Sequence, residues 1–253
     1  MSNPLLEQHD LPPFSKIEVE HIEPAIRQLI ERNRESIDTL LVSGKSFSWD
    51  NFLQPIEERE DELAKAWSPV GHLNGVKNSD ALRDAYNACL PLLSEYSTWK
   101  SQHTGLCAAY QKMANSTDFN ELNQAQQAAI KHALRDFRLG GIDLPDDKKQ
   151  RYGELKKRLS ELGSKFSENV LDATSAWSKR VSEEDLAGLP ATALASARQA
   201  AEQTGLEGYL ITLEFPSFHP VITYCDNPAL RQEVYKAHCT RASSEGGNPS
   251  KWD

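Results

Sequence analysis

The chain has 253 residues, with 37 acidic and 28 basic side chains and a formal charge of −9. That balance argues against a nucleic-acid-binding protein, which needs net positive surface to displace counterions. At 39% apolar residues wholesale disorder is excluded, and the length allows one or two domains with a sizeable core.

The N-terminal stretch MSNPLLEQHDLPPF has neither a basic region nor an apolar run of signal-peptide length, so a soluble cytoplasmic protein is expected. The first segment, to about Glu20, is Pro-rich and irregular. A helix is expected from Ile22 to Val42, with Pro24 in its first turn and Gly44 just past its end. Ser48 or Asp50 caps a second helix to about Trp67. Ser79 caps a third, bent or interrupted at Pro91, that reaches about Met113. A run such as Cys89 to Leu93 is far short of the ~20 apolar residues of a membrane span.

A fourth helix runs from about Asn120 to Leu139 and stops at Gly140-Gly141. Pro145 then opens the longest helix, to about Val181. Its Leu155, Leu159, Leu162, Phe166, Val170 and Trp177 recur close to a coiled-coil period. Gly153 and Gly163 each cost that helix about 1 kcal/mol relative to Ala, a cost that close packing of a neighbour would offset. The same helix carries a basic stretch: Lys148, Lys149, Arg151, Lys156, Lys157, Arg158 and Lys165. It reads as a solvated face supported by pairs such as Glu154 with Arg158, or as a patch for an anionic partner.

A short helix from about Ala191 to Gln203 precedes a change of character. Leu210 to Phe215 and Val221 to Cys225 are rich in β-branched and aromatic residues and read as the two strands of a hairpin. Asn227-Pro228 opens a last helix, to about Thr240, and the chain ends in a loop with Trp252. The fold class is therefore mainly α: an antiparallel, bundle-like set of helices with one short β-hairpin near the C-terminus. An isolated two-stranded ribbon is marginal in water and needs a partner sheet or helix.

Chemistry-bearing motifs are absent. No phosphate-binding glycine loop or G-x-S-x-G elbow occurs. None of His9, His21, His72, His103, His132, His219 and His238 is followed by Glu, and no two lie four apart, so there is no H-E-x-x-H. Cys89, Cys107, Cys225 and Cys239 form no C-x-x-C pair and read as reduced, buried thiols. His219, Cys225, His238 and Cys239 share one stretch but match no zinc spacing. The tryptophans Trp49, Trp67, Trp99 and Trp177 read as packing residues, with Trp252 exposed. His219 and Tyr224 sit in the expected hairpin, which either borders a peptide groove by strand addition or is purely structural.

Several long stretches carry a resemblance. LPPFSKIEVEHIEPAI, SPVGHLNGVKNSDALRDAYNACLPLLSEYSTW, ALRDFRLGGIDLPDDKKQRYGELKKRLSELGSKFSENVLDAT and EFPSFHPVITYCDNPALRQEVYKAHCTRAS together resemble the thimet oligopeptidase family of zinc metallopeptidases, in its bacterial oligopeptidase A branch. The resemblance covers essentially the whole chain. It implies a mostly helical protein with two lobes flanking a channel, zinc as cofactor, short peptides as substrate, and no nucleic-acid or membrane partner. It places the zinc motif and catalytic residues beyond Asp253, so no catalytic or metal-binding residue is assigned here, and substrate-binding positions stay unassigned. Residues 1–205 would then be the helical channel wall, and 206–253 the hairpin and helix leading into the catalytic part. The ending at Trp252-Asp253 reads as a truncation that leaves apolar surface open to self-association. The rival reading is a stand-alone helical module that binds peptides or a protein partner.

Overall fold

The computed structural model describes residues 3–43 and 46–243. Two compact units divide between Leu162 and Gly163. The first contains α1 (Val19–Val42), α2 (Gln54–Val76), α3 (Asp80–Ser101), α4 (Thr104–Ala114), α5 (Gln124–Leu139) and the first part of α6 (Asp146–Ala176). The second contains the rest of α6, then β1 (Ser178–Val181), α7 (Ala191–Gln203), β2 (Tyr209–Thr212), α8 (Phe215–Tyr224) and α9 (Pro228–Cys239). Among the described residues the architecture is mainly α with one antiparallel two-stranded pairing, the expected class.

Most helix starts follow local capping chemistry. Ser79 Oγ accepts from Leu82 N (3.3 Å), and Asn227 Oδ1 accepts from Ala229 N and Leu230 N (3.1 and 3.2 Å). Ser48 and Asn51 cap each other reciprocally, ahead of a wide π turn over Trp49–Leu53 that feeds α2. α1 starts three residues earlier than expected, where the Glu18 amide donates to His21 Nδ1 (3.0 Å), so Pro24 lies inside the helix. α2 continues through Pro69 to Val76, well past Trp67.

Helix α3 passes Pro91 and ends at Ser101; the break comes at Gln102 and His103, not at the proline. His103 Nδ1 then caps α4 by accepting from Leu106 N (3.0 Å). Asn123 caps α5, later than the expected start at Asn120. At Gly140 an added Cβ would lie 2.5 Å from Ser101 Cβ, and Gly141 has φ +85°, so both glycines at the α5 terminus are required. Gly44, Trp252 and the final loop beyond Ser243 lie outside the described residues.

Within the first unit α1 packs on both α2 and α3. It buries Ile22, Ala25, Ile26, Leu29, Ile30 and Ile37, each worth about 1.5–3 kcal/mol for the large side chains. Buried Asn33 donates to the Arg59 carbonyl (3.3 Å). Nearby the Tyr96 hydroxyl donates to Glu60, which also pairs with Lys100 at 2.9 Å. Burial first, and then the Glu60 charge, raise the Tyr96 pKa. A second cluster joins Ile37, Phe52 and Ile56 to Leu106, Tyr110, Ile130 and Phe137. Trp49, Trp67, Trp99 and Trp177 all pack against these cores or that of the second unit.

In the second unit the ribbon differs from the expected hairpin. β2 pairs with β1 in the register Ser178↔Thr212 to Val181↔Tyr209. Residues 178–181 were expected to continue α6, and Val221–Cys225 was expected to be the second strand; it lies instead in or just after helix α8. Phe218, Val221 and Cys225 are buried at helical spacing, and Pro216 sits in the first turn of α8, where its missing N–H costs nothing. α7 and α8 pack on β2, which gives the two-stranded ribbon the support it needs.

Candidate functional site

The seven histidines are dispersed. His21 and His103 act as caps. His9 Nε2 meets the Pro4 carbonyl at 3.1 Å, and His72 lies against Phe14 with ring centroids 5.4 Å apart. His219 stacks on Phe215 and His238 on Phe218, at 5.0 and 3.8 Å. Burial, and secondarily Arg241, lower the His238 pKa below its ordinary value. Among the described residues no three of His, Cys, Asp and Glu are grouped so as to hold a metal ion. Within the stretch of His219, Cys225, His238 and Cys239, Cys225 Sγ instead donates to the Asp185 carbonyl at 3.2 Å.

Cys89, Cys107 and Cys225 are buried free thiols, and burial pushes Cys89 up to about 11. Cys239 is exposed, which corrects the expectation of four buried cysteines. It ends α9, whose buried positions are Leu230 and Val234 on another part of the helix surface.

One concave feature stands out in the second unit. Ala193, Ala197 and Ala200 of α7, Leu210–Thr212 of β2 and the start of α8 enclose a groove of about 170 Å³. Its turn is fixed by Thr212 N donating to Ser217 Oγ (2.9 Å) and Glu214 N donating to Thr212 Oγ1 (3.3 Å). Ligand pockets usually measure roughly 300–1,000 Å³, so this groove suits a single side chain and not a whole peptide. Reading 210–225 as a hairpin hid it, because α8 forms one of its walls. His219 and Tyr224 do not line it; both lie on α8, so strand addition to Val221–Cys225 has no strand to use.

Residues 26–149 match the family model described as the neurolysin/thimet oligopeptidase N-terminal domain. Oligopeptidase A of Haemophilus influenzae is 56% identical over 254 aligned positions, and that of Escherichia coli 53%. Along its whole length the chain matches an N-terminal oligopeptidase A region. A probable cytosolic oligopeptidase A of Arabidopsis thaliana is 35% identical over 96% of the chain. The bacterial alignments cover all of this chain but 37% of each relative's length. No described helix is long and apolar enough to cross a membrane.

Proposed function

We propose that this chain is the non-catalytic N-terminal part of a zinc-dependent oligopeptidase that hydrolyses short peptides in the cytoplasm. The observation that carries the reading is identity above 50% along the entire chain to proteins named oligopeptidase A, over only 37% of their length. The side chains described here do not fit a zinc ion, since no group of three potential ligands converges. In this reading the metal, its general base and the bond cleavage belong to sequence outside these residues. Bound zinc would supply an activated water and polarise the scissile carbonyl there.

The role left to this chain is to form one wall of a channel, which excludes folded proteins and orients extended peptides. Orientation of this kind lowers the entropic part of the barrier. The absence of a phosphate-binding motif and the acidic balance support peptides, not nucleic acids, as partners.

The test is hydrolysis of a quenched fluorescent peptide by residues 1–253 and by the product of the uninterrupted reading frame, each with zinc. Activity confined to the longer protein and abolished by a chelator is expected. Chelator-sensitive activity that co-purifies with residues 1–253 overturns the reading. A stop codon after residue 253 together with peptide binding favours the stand-alone module.

A further inference from the structure

Helix α6 is amphipathic in the wrong sense for a helix packed only by this chain. Successive residues turn by about 100°. On the face that meets α3, an added Cβ at Gly153 would lie 3.5 Å from Thr98, and Lys157 pairs with Glu95 at 3.4 Å. Leu155, Leu159 and Leu162 lie roughly 180° to 240° around the helix from Gly153. They are 53%, 66% and 37% exposed, and none joins a core cluster. The small and polar face packs inward, and the apolar face looks out. Together with half-buried Tyr152, these residues repeat as the a and d positions of a two-stranded coiled coil.

The flanks of that seam define its partner. Arg151 and Arg158 occupy successive g positions on one side, and Lys156 an e position on the other. Pairing of two copies would set these cations against one another in either helix direction, so a second copy of the stripe is a poor occupant. The arginines' bonds to Glu154 and Glu161 (3.0 and 3.2 Å) are exposed, within one helix and weak enough to be exchanged. The relatives whose N-terminal domain this is extend well beyond the matched 37%.

We propose that the Tyr152–Leu155–Leu159–Leu162 seam of α6 docks a helix from the part of the protein that follows residue 253. That helix has its own apolar stripe and acidic flanks. The proposal rests on reading the chain as one part of a longer peptidase, and its test does not use peptidase activity.

Leu155→Asp/Leu159→Asp is introduced into residues 1–253 and into the product of the full reading frame, and thermal unfolding and sedimentation are measured. In the longer protein the midpoint is expected to fall by at least roughly 5 °C. In residues 1–253, where both side chains face solvent, the midpoint is expected to fall by much less, through the lower helix propensity of Asp alone, and a cooperative transition also shows that the variant folds. The milder Leu159→Ala should shift the longer protein in the same direction by less. Equal midpoints for variant and parent in the longer protein overturn the proposal. So does a stop codon after residue 253, or a dimer of residues 1–253 that these substitutions dissolve.

Discussion

Helices α1 and α6 carry the same kind of sequence signal and meet opposite fates. Each shows apolar residues every three or four positions. α1, with 24 residues, buries six of them, including Ile22, Ile26 and Ile37. α6, with 31 residues, buries Ala173 alone. The apolar stripe of α1 is covered by α2 and α3, whereas Leu155, Leu159 and Leu162 of α6 remain in water. An exposed leucine is ordinary, but three in register on one face mark an interaction surface. Periodicity shows that a helix has an apolar side; it does not say which molecule covers that side.

The sharpest way to break the comparison is a matched pair of truncations. Ile26→Ala should cost residues 1–253 about 2–5 kcal/mol, read from urea unfolding, because it leaves a cavity between packed helices. Leu159→Ala should change stability by less than about 0.5 kcal/mol in the same chain. Comparable losses would mean that α6 is packed after all.

Two glycines refine the contrast. Gly188 has φ +90°, and an added Cβ would lie 2.4 Å from the Tyr224 carbonyl oxygen. Gly188→Ala should therefore cost about 2 kcal/mol or more by the same measurement. At Gly163 an added Cβ meets nothing within 4 Å. The packing expected to offset the cost of a helical glycine is thus present at Gly153 and missing at Gly163. Gly163→Ala should stabilise residues 1–253 by up to about 1 kcal/mol, and the gain should shrink in the longer protein if a helix seats beside it.

The smallest expected effect concerns His238. Its folded pKa lies below 6.5 through burial and the nearby Arg241, so the unfolded chain binds the proton more readily. Its contribution to stability is complete above 6.5 and is lost as pH falls through the lowered folded value. His238→Phe should lose less stability between pH 7 and pH 5 than the parent, and an identical pH dependence would count against this environment.

The helices were legible because their caps and stripes are local. Ser79, Asn227-Pro228 and Gly140-Gly141 mark ends that the structure keeps. The ribbon was half legible. Leu210 and Ile211 do form a strand, but the choice between helix and strand for the short apolar run at 218–225 depends on what it packs against. Its true partner, Ser178–Val181, is a polar four-residue strand hidden behind a long helix. The i,i+4 pair expected between Glu154 and Arg158 gives way to i,i+3 pairs, Arg151 with Glu154 and Arg158 with Glu161, a choice among exposed rotamers that spacing alone does not decide. The candidate groove depends on α7, β2 and α8 meeting, which no local pattern encodes.

The most direct test of the central claim, that this chain is a wall whose open face is completed by the rest of its protein, is amide hydrogen exchange along α6. It would be measured in residues 1–253 and in the product of the full reading frame. The account predicts slower exchange between Tyr152 and Leu162 in the longer protein, with α1 unchanged. Identical exchange of that segment in both proteins would contradict it.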